Sequence, residues 1–173
     1  MATTRGMIRA VAQSLDSPGE ALARVNNALH PDIPSEMFVT CFYAILDPAA
    51  GRLRYANAGH DLPYVHHRGE GAHELRARGM PLGLMPEMSY EEKEAVLREE
   101  DNVLFYSDGL VEAHNPHYEM FGFPRLRALI AEHGKDRSLI DLLLEELHYF
   151  VGEDWEQEDD ISLLTLRRSP TRT

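Results

Sequence analysis

The sequence predicts an α+β fold, a four-layer αββα sandwich in which helices cover the outer sides of two stacked antiparallel sheets. Helical segments come first, a block of extended segments follows, and two helices precede a closing strand. This order lacks the regular strand–helix alternation of a parallel sheet. The segment 36–46 is also apolar on both alternating faces, which indicates a strand buried from both sides.

Composition restricts the kind of protein and its partners. The 173 residues, 43% of them hydrophobic and 27% charged, fit one globular domain spanning 1–173. A net charge of −12 disfavours nucleic acid and anionic membranes as partners. The single cysteine, Cys41, excludes an intrachain disulfide and a cysteine-rich zinc site. Because the N-terminus also lacks the pattern of a signal peptide, we expect a cytoplasmic protein.

Two helices are predicted at the start of the chain. Apolar residues recur at helical spacing over 2–15. A second helix has clearer boundaries, because Ser17, Pro18 and Glu20 form the pattern of a capping box. We expect it to end at 30–31, where histidine is followed by proline.

The middle of the chain consists of extended segments separated by turns. The first two form a hairpin with a five-residue loop. The strands are predicted at 36–46, 52–58, 62–66, 93–97 and 102–107, with turns at 47–51 and 69–71 and a glycine- and proline-rich loop at 79–84.

The C-terminal part is predicted to contain two helices and one strand. Helical spacing over 124–133 stops at Gly134. A strongly amphipathic helix over 138–151 is predicted to start at a serine cap and stop at Gly152. The segment 161–166 is the expected final strand.

Acidic residues stand at the ends of two predicted strands. Asp108 follows the strand 102–107, whereas Asp159 and Asp160 precede the strand 161–166. If these strand ends are adjacent, the carboxylates converge, which is unfavourable unless a cation lies between them. Mg²⁺ and Mn²⁺ suit such oxygen ligands. Spacing alone leaves open the alternative that these acids only cap turns in solvent.

Other catalytic patterns are absent from the sequence. The nine histidines include no His-Glu-x-x-His pair. His60 follows a glycine in a turn, where it either makes a structural hydrogen bond or faces a site. Neither Ser107 nor Cys41 lies in a Gly-x-Ser-x-Gly nucleophile elbow, and no phosphate-binding glycine loop occurs.

Five segments in this order resemble the PPM superfamily of metal-dependent protein phosphatases (protein phosphatase type two C), in its SpoIIE/RsbU branch. The resemblance covers nearly the whole chain. The segments are Phe38–Asp47, Tyr55–His60, the Gly-x-Pro-Leu-Gly motif at 79–83, Leu104–Glu112 and Asp159–Leu163.

The resemblance implies hydrolysis of phosphoserine or phosphothreonine in a protein, typically a phosphorylated STAS-domain anti-anti-sigma factor in a stress or sporulation switch. It also implies a binuclear Mn²⁺ or Mg²⁺ centre that activates a water molecule. Asp108 and Asp159 correspond to metal ligands, Asp160 is the neighbouring alternative, and Gly109 belongs to the metal site as the point where the backbone turns tightly. His60 and the 79–83 loop correspond to motifs that we take as architectural.

The start of the sequence departs from the family pattern. Relatives carry an upstream Gly-Asp-x-x-Gly motif that supplies the first metal's aspartate, and neither Asp47 nor Asp61 stands in such a context. We therefore expect the C-terminal portion of the family domain, with activity that depends on an upstream segment. The alternative is a non-catalytic regulatory or binding module that keeps the fold. An unpaired strand edge would also favour a homodimer.

Overall fold

The computed structural model describes residues 2–12, 15–34, 36–136, 138–152 and 159–169. The strands are β1 Cys41–Asp47, β2 Arg52–Ala58, β3 Tyr64–His67, β4 Gly71–Glu74, β5 Glu92–Val96, β6 Asn102–Tyr106 and β7 Leu163–Arg167. The helices are α1 Ala2–Ala12, α2 Pro18–Leu29, α3 Gly109–Glu112, α4 Gly122–His133 and α5 Leu139–Val151, with a short 3₁₀ turn at His30–Asp32.

The chain divides into two compact units, each with one antiparallel sheet and its own helices. The first comprises Met1–Leu62 and Arg76–Val96, with strand order β1-β2-β5. The second comprises Pro63–Leu75 and Leu97–Thr173, with strand order β4-β3-β6-β7. The predicted order is observed, with helices first, then a block of strands, then two long helices and a closing strand. In the described part of the chain, no helix has the length and apolar character needed to cross a membrane.

Helix α2 begins where the sequence predicts it. The Ser17 hydroxyl accepts a hydrogen bond from Glu20 N at 3.2 Å, which satisfies one of the free N–H groups at the helix start. The same hydroxyl donates to Glu92 Oε2 at 2.6 Å and so joins α2 to β5. Leu22, Val25 and other α2 side chains are buried against the β2 alanines. Helix α1, Ala2–Ala12, packs on the same cluster, and residues 13–14 of the predicted helix 2–15 lie outside the described residues.

Strand β1 corrects the prediction for residues 36–46. Only the part from Cys41 onward pairs with β2, while Val39 forms an isolated bridge to Leu82. Met37 and Phe38 are 58% and 54% exposed, and every β1 residue keeps partial contact with solvent. Burial from both sides is therefore wrong. The reason is that β1 lies at the edge of its sheet in the described chain, so its apolar residues keep contact with solvent. The expected homodimer through this edge stays a prediction.

Helices α4 and α5 contribute six buried residues to the core of the second unit. Both helices follow the predicted apolar pattern, and α5 ends at Gly152 with φ of 87°. Ser138 precedes α5 as predicted, but its side chain makes no capping hydrogen bond, so the predicted serine cap is wrong. Their buried residues pack with Tyr64, Leu104 and Tyr106 of the sheet. The buried helix residues are Leu126, Ile130, Leu139, Leu143, Leu147 and Val151.

His66 is a buried histidine in the sheet of the second unit. It is 6% exposed and lies opposite Asn102 in the β3–β6 register. A Cβ on Gly134 would lie 2.5 Å from His66 Cγ, so the glycine makes room for the imidazole. Burial lowers the pKa of His66; Asp101 and the Ala131 backbone oppose this, and His67 and Lys135 add to it.

We expect the stability of the second unit to decrease in mild acid because of His66. The unfolded chain takes up a proton near the usual pKa of 6.5, whereas in the folded protein the lowered pKa moves protonation of this imidazole to lower pH. The contribution of neutral His66 to the free energy of unfolding is therefore fully present above pH 6.5. It is lost as the pH falls toward the lowered pKa of the folded state. Urea unfolding at pH 7 and pH 5.5 measures the change. His66→Gln should reduce the pH dependence, and the exposed control His117→Gln should keep it; equal dependence in both variants would contradict the assignment.

Candidate functional site

The C-terminal end of β6 and the start of β7 lie side by side. Tyr106 pairs with Leu163, and Ser107 N donates to Ser162 O at 3.0 Å, which extends the ladder beyond the strands. The Ser107 hydroxyl donates to Asp160 O at 2.9 Å and accepts from Ser162 N at 2.9 Å. The adjacency on which the candidate site depends is therefore present, and Ser107 joins its two halves.

Asp108 occupies a fixed position at the start of α3. Its Oδ1 accepts a hydrogen bond from Gly109 N at 3.0 Å, and the side chain is exposed to solvent. Leu110 and Val111, which follow Gly109, are buried in the core of the second unit. A rigid, anchored turn of helix thus presents an exposed carboxylate at the end of a central strand.

Gly109 allows the two acidic segments to come close. A Cβ on this residue would lie 2.8 Å from Asp160 O and 3.4 Å from Asp159 O. Its backbone is not in the left-handed region, so the tight turn expected here is not the reason for the glycine. The reason is the close approach of the Asp159–Asp160 backbone, which a side chain would push away.

Asp159 and Asp160 are both exposed at the other half of the site. Asp159 Oδ1 accepts a hydrogen bond from Asp160 N at 2.7 Å, which fixes the local backbone. The rest of the acidic run, residues 153–158, lies outside the described residues. The metal-ligand role of Asp108, Asp159 and Asp160 stays a prediction.

The chemistry of this donor set fits a hard divalent cation. Exposed carboxylates lie at the same sheet edge on two segments, whose backbones approach closely at Gly109. Such oxygen donors suit Mg²⁺ or Mn²⁺ better than softer metals. Within the described ranges, no group of three or more His, Cys, Asp or Glu side chains is arranged to hold a metal by itself.

The two other candidates from the sequence, His60 and Cys41, lie in environments typical of structural residues. The side chain of Asn57 bonds to both backbone groups of His60, whose Nδ1 is 3.1 Å from Asp61 O. These bonds correspond to the first of the two alternatives for His60, a structural hydrogen-bonding role. Burial raises the pKa of the Cys41 thiol to about 11, so its reactive thiolate form is suppressed near neutral pH.

Sequence reasoning missed the joining role of Ser107. The sequence prediction for this serine concerned only a nucleophile role, which the missing Gly-x-Ser-x-Gly pattern excludes. The available signal was its position directly after a strand and beside two acidic turns, where Ser side chains often bond to the backbone.

The fold matches that of solved PP2C phosphatase-domain structures. The structure of the RsbU and RsbW domains of Rv1364c from Mycobacterium tuberculosis matches with a TM-score of 0.80 and 28% identity, covering 99% of this chain and 48% of that chain. The SpoIIE phosphatase domain from Bacillus subtilis (Mn presoaked) matches with a TM-score of 0.64 and 18% identity, covering 98% and 74%. The predicted fold class is confirmed.

The family model for Stage II sporulation protein E (SpoIIE) matches residues 1–169, so the chain belongs to the SpoIIE family. Phosphoserine phosphatase RsbU from Bacillus subtilis is 27% identical over 157 residues, covering 87% of this chain. The match covers 45% of RsbU, so the chain spans less than half of that relative's length. The resemblance to the SpoIIE/RsbU branch of the PPM phosphatases is confirmed.

Proposed function

We propose that the chain is part of a metal-dependent phosphatase that hydrolyses phosphoserine or phosphothreonine on a regulatory protein. The observation that carries this proposal is the junction at Ser107, which brings Asp108 and the Asp159–Asp160 segment to one sheet edge in a SpoIIE-family chain. Residues 1–173 would then form one domain, with activity that needs an upstream segment.

Each residue of the junction has a distinct role in this proposal. Asp108 and Asp159 hold Mn²⁺ or Mg²⁺, with Asp160 as the alternative ligand. Gly109 allows the backbones of the two halves to approach closely, and Ser107 joins them. When bound, such ions supply an activated water and neutralise charge on the phosphoryl oxygens. They also relieve the repulsion between the converging carboxylates.

The proposed substrate is a phosphorylated STAS-domain anti-anti-sigma factor or a similar phosphoprotein. Two relatives support this class, because one is named phosphoserine phosphatase RsbU and another structure contains RsbU and RsbW domains in one chain. The single cysteine and the acidic composition fit a cytoplasmic protein acting on a protein substrate.

Hydrolysis of p-nitrophenyl phosphate with added Mn²⁺ tests the proposal. The assay uses this chain and the same chain extended by any coding sequence that precedes it in its gene. We expect turnover that requires Mn²⁺ or Mg²⁺ and that EDTA abolishes, with the extended protein more active. Absence of turnover in both proteins would contradict the proposed activity.

The alternative is a non-catalytic regulatory or binding module with the phosphatase fold. One observation favours it, since the described residues contain no three-residue metal-binding group. Such a module would bind the phosphoprotein and leave its phosphate in place. Release of inorganic phosphate from a bound phosphoprotein therefore separates the two functions.

A further inference from the structure

The loop between α3 and α4, residues 113–121, is held together by hydrogen bonds within the loop. Its ends are joined by a hydrogen bond from Phe121 N to Ala113 O at 2.8 Å and by a bridge between His114 and Met120. Inside it, Asn115 Oδ1 accepts from the backbone N–H groups of residues 117 and 119, both at 2.9 Å. These bonds hold the loop in one conformation. We refer to residues 113–121 as the Tyr118 loop.

The Tyr118 loop presents apolar side chains to solvent. Tyr118 is 87% exposed, Met120 is 59% exposed, and Phe123 at the start of α4 is 48% exposed. Phe121, between them, is buried and packs edge-on against Phe150. The loop is therefore anchored in the core by one aromatic residue while it exposes another at its tip.

The backbone of Tyr118 is in a conformation that tyrosine seldom adopts. Its φ is +60°, in the left-handed region where glycine and asparagine are favoured. An 87% exposed ring gains little from packing inside this chain. Residues held in such conformations concentrate at binding and catalytic sites. A contact outside the chain would explain why an aromatic residue stands here.

The position of the loop next to Asp108 indicates which molecule would contact the Tyr118 ring. Helix α3 connects Asp108 to Ala113, and at 1.5 Å per residue this separation is roughly 7–8 Å. A protein partner typically covers about 800 Å², equivalent to a disc of about 16 Å radius. A contact area of that radius centred on Asp108 includes Ala113, at the base of the Tyr118 loop. Exposed tyrosines are frequent anchor residues in such interfaces.

We infer that the Tyr118 loop is the docking element for the protein that carries the phosphoserine, with the Tyr118 ring inserted in an apolar pocket of that protein. The inference rests on the proposed function. It assigns the loop to recognition of the protein surface and leaves the phosphate to the acidic site.

The variant Tyr118→Asn removes the ring and suits the left-handed backbone, so it should fold normally. The substrates are p-nitrophenyl phosphate and a serine-phosphorylated STAS-domain protein from the same genome, assayed with the extended chain. We expect KM for the phosphoprotein to rise at least tenfold, with kcat and the hydrolysis of p-nitrophenyl phosphate unchanged. Tyr118→Phe should retain the wild-type KM.

Tyr149→Asn is the matched control, because this tyrosine is 88% exposed on α5, on the side opposite the buried stripe. An unchanged KM in Tyr118→Asn, or an equal change in the control, would overturn the inference. A loss of self-association without a change in KM would assign the loop to a second copy of this chain and would also overturn it.

Failure of the proposed function gives a different result, namely no turnover of either substrate by the wild type. Calorimetric binding of the phosphoprotein then tests docking directly. At least tenfold weaker binding by Tyr118→Asn supports the loop as a docking element, and equal binding refutes it.

Discussion

Replacing Asp108 with asparagine is expected to abolish the binding of Mn²⁺ measured by isothermal titration calorimetry. Asparagine has the same shape, and its amide oxygen still accepts the hydrogen bond from Gly109 N that starts α3. The change removes one negative charge from an oxygen site for a doubly charged ion. We expect at least a 100-fold loss of affinity, equivalent to about 2.7 kcal/mol, and loss of metal-dependent phosphatase activity.

The same variant should leave the metal-free protein folded. Without a cation, the converging carboxylates repel each other, so Asp108→Asn should unfold at the same urea concentration as the wild type or at a slightly higher one. Asp32→Asn, at an exposed aspartate of the 3₁₀ turn, is the matched control and should bind Mn²⁺ normally. Unchanged Mn²⁺ affinity in Asp108→Asn would remove this residue from the site.

Elements with strong local signals could be predicted from the sequence. Helix α2 starts at Ser17 because the cap and the proline act within four residues. Strand β4 was missed because Gly-Ala-His-Glu at 71–74 has one apolar side chain, and it becomes a strand only by pairing with β3. Helix α3 was missed because a single turn depends on the Asp108 cap and on burial of the residues after it.

The candidate site was predictable as an order of motifs, while its geometry was not. The pairing of β6 with β7 joins residues more than fifty positions apart, and such register follows from the whole sheet. The role of Gly109 illustrates the difference. A glycine after an aspartate suggests a turn, but here it accommodates the backbone of Asp160, which no local pattern reveals.

Replacing Gly79 with alanine is expected to give the largest loss of stability in the first unit. A Cβ at this position would overlap the carbonyl oxygen of Asn57 and lie 2.5 Å from Cδ1 of Tyr90. The preceding residue, Arg78, exchanges two hydrogen bonds with Glu91, from Glu91 N to Arg78 O and from Arg78 N to Glu91 Oε2, both at 2.9 Å, so the segment cannot move away without losing those bonds.

Overpacking against backbone usually costs about 1–3 kcal/mol and sometimes more, and we expect about 3 kcal/mol here because the obstacle is a carbonyl group of β2. Gly79 is not in the left-handed region, so the effect would be steric. The matched control is Gly6→Ala in α1, where a Cβ meets no atom within 4 Å and alanine should add about 0.5–1 kcal/mol through helix propensity. Urea unfolding of both variants measures the difference. If Gly79→Ala unfolds within about 0.5 kcal/mol of the wild type, the close packing of the 79–83 loop on β2 is wrong.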